Sequence, residues 1–320
     1  MKASALKKSL IAMIDSKIPV FVWGSPGVGK SSLIKQIAND KSMEFIDLRL
    51  SLLDPTDLRG IPFFDAANKS AVWAKPEFLP DSNSKEFGIL FLDEINSAPP
   101  TIQAAAYQLI LDRKIGEYTL PINYAIVAAG NYESDRGVTY RMPTPLANRF
   151  VHLDFELDFS EWKSWAYESK IDNRIISFLS YKPQNLFTFD TKSKEKSFAT
   201  PRSWSFVNDI LNSNLQIELL KDVISGAVGI ESSDEFMNFC KIADKIPNIE
   251  EIINGNSNEI PSNNSVLYAL CIGIVYSLKE KSSVEFVTNI LNYSLELPNE
   301  FSVMLIRDLQ KEGIDVESSV

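Results

Sequence analysis

The sequence predicts an α/β domain built on a parallel sheet, followed by an all-α domain. Three observations carry that prediction. A phosphate-loop sequence, Gly24-Ser25-Pro26-Gly27-Val28-Gly29-Lys30-Ser31, lies between the apolar run Val20-Phe21-Val22-Trp23 and a helical stretch opening at Ser32. Short apolar runs alternate with amphipathic stretches through residue 158, the pattern of successive βαβ units. From about residue 160 that alternation disappears and helical periodicity remains.

Taken in order, a helical pattern at 5–15 leads into a strand at 20–23, and the phosphate loop leads into a helix at 31–39. Apolar runs give further strands at 45–48, 89–92, 124–128 and 151–155, with a helix at 100–112. Between the second and third strands, residues 54–80 hold prolines, a glycine and scattered aromatics, and read as a structured insertion. Helical patterns then fall at 161–169, 174–181, 204–210, 234–243, 265–278, 284–293 and 302–310. Polar linkers such as Gly255-Asn256-Ser257-Asn258 and the Lys/Ser-rich stretch 191–197 separate them. The expected division is a nucleotide-binding core over 1–158, with its insert at about 54–80, and a helical domain over 159–320.

Composition narrows the class. A chain of 320 residues with 45% hydrophobic and 23% charged residues is a folded protein of about two domains. No apolar run reaches the roughly 20 residues needed to span a bilayer. The basic N-terminus is followed by an apolar stretch broken at Asp15 and Lys17, unlike a secretory signal. The expected location is therefore the cytoplasm. Cys240 and Cys271 sit in apolar helical contexts and read as small core residues, and His152 is the single histidine. A net charge of −10 disfavours a strong non-specific nucleic-acid binder.

The phosphate loop works by aiming backbone N–H groups and a helix N-terminus at phosphate oxygens. Its glycines allow positive φ and close approach. Lys30 supplies a cation for the β- and γ-phosphates, and the Ser31 hydroxyl is placed to ligate Mg²⁺, with Ser32 beginning the helix. A second element, Ile89-Leu90-Phe91-Leu92-Asp93-Glu94, is a buried strand ending in two carboxylates at the edge where open α/β sheets bind ligands. Asp93 is read as the Mg²⁺ holder and Glu94 as the group that polarises the attacking water. Asn131, closing Ala128-Ala129-Gly130, could bond the γ-phosphate or the lytic water, or could simply be a strand-end turn residue.

The phosphate loop, Asp93-Glu94, Asn131 and Asn148-Arg149-Phe150 together resemble the AAA+ ATPases, in particular the MoxR family. Asp54-Pro55-Thr56-Asp57-Leu58-Arg59-Gly60 is similar to that family's helix-2 insert, and Thr200-Pro201-Arg202-Ser203 to its sensor 2 segment. Similarity extends through Asp93–Pro100 with Gln103-Ala104-Ala105, and more loosely to Gly226-Ala227-Val228-Gly229 and Leu297-Pro298-Asn299-Glu300-Phe301. The resemblance implies a P-loop AAA+ core with an all-α lid, ATP as nucleotide, and a homo-oligomer, most often a hexamer. It implies Asn131 as sensor 1, Arg149 as an arginine finger acting on a neighbouring subunit, and Arg202 as the arginine of the lid. It further implies remodelling of a protein partner, possibly of von Willebrand factor A-domain type. Arg141, and less so Arg136, are alternatives to Arg149, and Arg149 could instead form an ion pair with Asp154 or Glu156. A monomeric nucleotide-dependent switch or scaffold remains the competing function. Trp73 and Phe78 flank Lys75-Pro76-Glu77 in the insert, and with the hairpin at 115–121 form a candidate partner surface.

Overall fold

The apolar runs condense into one parallel sheet because strands covered on both faces must be apolar along their whole length. In the computed structural model, which describes residues 1–66, 70–115, 118–135, 140–193, 195–243, 245–280 and 283–316, the chain divides into two units, Met1–Asp158 and Phe159–Val320.

In the first unit, α1 (Ala3–Asp15) buries Leu6, Leu10 and Ile14 at helical spacing. It leads to β1 (Val20–Trp23), α2 (Lys30–Asp40) and β2 (Glu44–Arg49). The insert follows as α3 (Pro55–Arg59) and the antiparallel hairpin β3 (Ile61–Asp65) and β4 (Ser70–Ala74). Next come β5 (Gly88–Asp93), α4 (Pro100–Asp112), the small pair β6 (Lys114–Ile115) and β7 (Tyr118–Thr119), β8 (Tyr124–Gly130), α5 (Thr144–Ala147) and β9 (Val151–Asp154). The sheet order is β2-β5-β8-β1-β9, all parallel. Every residue of β8 is buried, as are the first five of β5. Phe21, Leu90, Leu92, Ile126 and Ala128 of the sheet pack in one cluster with Ile102, Ala106 and Leu109 of α4.

Registers set the heights of the strand ends. Trp23 pairs with Gly130, Leu92 with Ala128, and Arg49 with Asp93, so β1, β5 and β8 deliver their following loops to one edge. The hairpin of the insert is different in kind: Phe63 and Phe64 are 59% and 75% exposed, and Ile61 and Trp73 are exposed too. Residues 67–69 of the insert, 116 and 117 of the hairpin at 115–121, and Arg136 lie outside the described residues.

The second unit contains α6 (Phe159–Glu168), α7 (Asn173–Tyr181), α8 (Pro201–Leu211), α9 (Ile217–Val228), α10 (Ile230–Ala243), α11 (Ile249–Ile253), α12 (Asn264–Glu280), α13 (Val284–Glu296) and α14 (Asn299–Lys311). The patterning does not signal α9 or α11. Gly226 and Gly229 punctuate α9, which buries only Ile224 and Val228 and leaves Ile217 and Leu219 exposed. α11 is a little over one turn, too short for periodicity to register. α8 starts three residues before the periodic stretch at 204–210. A capping box there joins Thr200 and Ser203, with Pro201 at the first helical position. Among the described residues no helix is long and apolar enough to cross a membrane, and Cys240 and Cys271 are free thiols.

Trp204, Phe178 and Phe236 meet at ring-centroid distances of 5.5–5.6 Å in this unit's core. Beside α12 and α14 lies a buried ion pair, Lys163 with Asp308. Burial pulls the Lys163 ammonium below its ordinary value while Asp308 opposes that shift. Removing one partner strands the other charge in a low dielectric. Asp308→Asn should therefore cost about 3–5 kcal/mol in urea unfolding, whereas Lys163→Met with Asp308→Leu should cost far less. Equal losses in the single and double variants would rule out an electrostatic origin.

Candidate active site

The site grows from the carboxyl end of β1. Gly27 and Gly29 take φ of 78° and 104°, left-handed values that a side chain disfavours. A Cβ at Gly29 would meet nothing within 4 Å, so the backbone faces open space on the side where a ligand would lie. Gly29 caps α2 and, being a glycine, brings no side-chain acceptor to the N–H donors of the helix start. Those donors and the positive end of the helix dipole converge on the loop, an arrangement suited to phosphate.

Lys30 is buried and folds back over the loop. Its Nζ donates to Gly24 O at 2.7 Å, to Ser25 O at 3.1 Å and to Asn131 Oδ1 at 2.9 Å. The strand register makes the last contact possible, because Asn131 follows Gly130, the partner of Trp23. The Ser31 hydroxyl donates to Asp93 Oδ2 at 2.9 Å, joining the phosphate loop to the end of β5. A serine hydroxyl and one carboxylate oxygen in contact suit Mg²⁺, which takes a few protein oxygens and completes its shell with phosphate and water. Among the described residues no cluster of three acidic, histidine or cysteine ligands offers an alternative cage. Asp47 on β2 feels the same locality: burial first, then the charge of Asp93, raises its carboxyl pKa.

Glu94 stands beside Asp93 with φ of 56°, a left-handed conformation that costs energy in a non-glycine residue. Its Oε2 accepts from the Ser51 hydroxyl at 2.5 Å, and its backbone N–H donates to Asp93 Oδ1 at 3.0 Å. The Ser51 bond ties the glutamate to the single turn that follows β2.

An aromatic brace holds the exit of β1. Trp23 stacks on Tyr132 and His152, with centroids 6.3 and 6.0 Å away. Trp23 Nε1 donates to His152 Nδ1 at 2.9 Å, which fixes the imidazole proton on Nε2, facing Ala147 O at 2.8 Å. Tyr132 donates to Asp154 at 3.0 Å, and burial with that bond pushes its hydroxyl up to about 12.

Within the first unit, Arg149 stands apart from this cluster. Arg149 is exposed in the turn before β9 and makes no ion pair among the described residues, so the pairing with Asp154 or Glu156 is not formed. Because Val151 pairs with Val20, Arg149 sits at the amino edge of the sheet, whereas the phosphate loop leaves the carboxyl edge. The four-residue strand alone separates these edges by about 13 Å. Arg141 is likewise exposed, and Arg202 is exposed in the first turn of α8. Sequence reasoning overlooked Ser51, Asn96 and Asp135. Ser51 and Asp135 lie in single 3-10 turns too short to show periodicity, and Asp135 accepts from Ser25 at 3.4 Å. Asn96 was within reach of inspection, as a polar residue set among apolar ones directly after the paired carboxylates.

Residues 19–152 match the family model described as "ATPase family associated with various cellular activities (AAA)". The matched segment contains the phosphate loop, Asp93, Glu94 and Asn131. With the helical region after it, the chain has a phosphate-loop α/β core with a parallel sheet, followed by an all-α part. Among solved structures the chain is similar to NtrX from Brucella abortus in complex with ATP, at 14% identity and a TM-score of 0.43 over 97% of this chain and 68% of that one. It is also similar to the RuvB Holliday junction branch migration motor of Thermotoga maritima, at 18% identity and a TM-score of 0.43 over 90% of this chain and 87% of that one.

Two substitutions separate nucleotide binding from turnover at this site. Lys30→Ala should weaken ATP binding by about 10–100-fold, the loss expected for charge-assisted bonds to phosphate. Glu94→Gln should retain binding while lowering phosphate release by about 10²–10⁴-fold. Equilibrium dialysis and a phosphate assay read both, and wild-type turnover in Glu94→Gln would remove Glu94 from the water-polarising role.

Proposed function

We propose that this chain is a Mg²⁺-dependent ATP phosphohydrolase that assembles into a ring, most simply a hexamer, and remodels a protein partner in the manner of MoxR-type ATPases. One observation carries the hydrolytic part: Lys30–Asn131 and Ser31–Asp93 meet at one sheet edge, with Glu94 adjacent. In this reading the nucleotide lies along Gly24–Ser32, Ser31 and Asp93 hold Mg²⁺, and Glu94 polarises water. Asn131 senses the γ-phosphate. The core spans 1–158 and the helical lid 159–320, and Arg202 on the lid reports loss of the γ-phosphate. The cytoplasm is the compartment that fits an ATP-dependent protein with free thiols.

The oligomer is supported by the position of Arg149. An exposed guanidinium at the edge opposite its own phosphate loop is available to a neighbouring copy, where it would stabilise charge on the transferring phosphoryl group. Partner binding is supported by the insert. A two-stranded hairpin carrying Ile61, Phe63, Phe64 and Trp73 in the open buries too little to be explained by its own stability. A von Willebrand factor A-domain protein is the partner class that the MoxR resemblance favours.

Arg149→Ala should lower hydrolysis by about 10³–10⁵-fold with binding intact. Mixing it with Lys30→Ala protein should restore part of the activity, because one interface then joins an intact loop to an intact finger. The wild-type rate per protomer should climb with protein concentration and then saturate. A concentration-independent rate from a monomer by sizing would favour the self-contained switch instead. Deleting residues 68–75 should preserve basal ATPase and abolish partner capture, and a deletion that leaves both intact refutes the role of the insert.

A further inference from the structure

Asn96 is 1% exposed, an unusual setting for a primary amide. It lies in the single turn Ile95–Ser97, two residues beyond Glu94. Its Nδ2 donates to the backbone carbonyl of Asn131 at 2.7 Å. Its own carbonyl accepts from the backbone N–H of Tyr140 at 2.6 Å. The amide oxygen has no hydrogen-bond partner and faces Gly130, where an added Cβ would come within 2.3 Å of it and 2.7 Å of the Phe21 ring. Residue 130 must therefore lack a side chain for the amide to enter. One buried side chain thus fixes the end of β8 against the turn that carries Glu94.

We infer that Asn96 is a positioning residue for hydrolysis, coupling the orientation of Asn131 to that of Glu94. This rests on the ATPase reading above and deepens it. The Asn131 carbonyl held by Asn96 belongs to the residue whose side-chain oxygen accepts from Lys30. Rotation of that peptide would carry Oδ1 away from Lys30 and from any γ-phosphate beside it. Glu94 is already in a left-handed conformation, so the turn around it keeps its shape only while its neighbours hold it. A buried amide bonded across the two strand ends supplies that restraint, and Lys30 retains its bonds to Gly24 and Ser25 without it. The consequence is selective. Loss of Asn96 disturbs the groups that would act on the γ-phosphate and water while leaving the phosphate loop formed.

The test compares Asn96→Ala and the isosteric Asn96→Asp with Asn131→Ala and with the Asn96→Ala/Asn131→Ala double variant. Each Asn96 variant should lower kcat by about 10–100-fold, the size expected for sub-ångström to ångström misplacement of reacting groups. ATP affinity should stay within about threefold of wild type, and both variants should remain folded at the assay temperature although loss of a buried hydrogen bond lowers their unfolding midpoints. The double variant should be clearly faster than the product of the two single losses predicts, because the part of the Asn96 effect that acts through Asn131 is already lost in Asn131→Ala. Multiplicative losses in the double variant, a wild-type kcat in Asn96→Asp, or a loss explained by weaker binding or by an unfolded fraction at the assay temperature would each overturn the inference. A wild-type chain that binds ATP but never hydrolyses it would overturn the ATPase reading, and this inference with it. Turnover with an additive cycle overturns this inference alone.

Discussion

The parallel ladder between β1 and β8 brings Trp23 level with Gly130, and the candidate site depends on that pairing. The phosphate loop leaves the sheet after Trp23 and Asn131 leaves it after Gly130, so Lys30 meets Asn131 without either backbone being distorted to reach the other. The neighbouring ladder to β5 adds Asp93 at almost the same height, where it receives the Ser31 hydroxyl. A slip of one residue in either ladder would turn these side chains to the opposite face. The apolar content of β5 and β8 is thus a functional requirement as well as a structural one, because burial on both faces fixes the register.

Small residues and buried polar groups refine what the register sets. Gly29 opens the loop toward a ligand, while Gly130 admits the Asn96 amide. The Trp23–His152–Tyr132 brace ties the exits of β1, β8 and β9 together through one neutral imidazole. In the helical unit comparable restraint comes from the Trp204 cluster. There Trp204 Nε1 donates to Asn185 O at 2.8 Å, and the Thr200–Ser203 cap sets the start of the helix that carries Arg202. Electrostatics separates two tasks. The buried Lys163–Asp308 pair is satisfied within the helical unit, while Arg149 and Arg202 stay exposed.

Much of this was legible in the sequence. The five strands of the sheet, the phosphate loop and the carboxylate pair follow from apolar runs and short spacings, because local propensity and binary pattern act within a few residues. The β3–β4 hairpin was less legible: its strands expose both faces, so no alternation marks a buried side. α9 was hidden by Gly226 within it and Gly229 at its end, and α11 by its length. Ser51 was illegible in principle, since nothing near it in the chain signals that its hydroxyl will meet Glu94, 43 residues away.

By itself, then, the sequence determined the chemistry available: a cation and a hydroxyl on a phosphate loop, two carboxylates at a strand end, and arginines outside the loop. Only the tertiary structure decided which of these groups meet. Contact between residues some 60 to 100 positions apart depends on strand order and register, which arise from packing across the whole sheet. The same holds for placing Arg149 at the edge opposite its own phosphate loop. Which edge a residue occupies follows from where β9 joins β1, and no local run of residues encodes that.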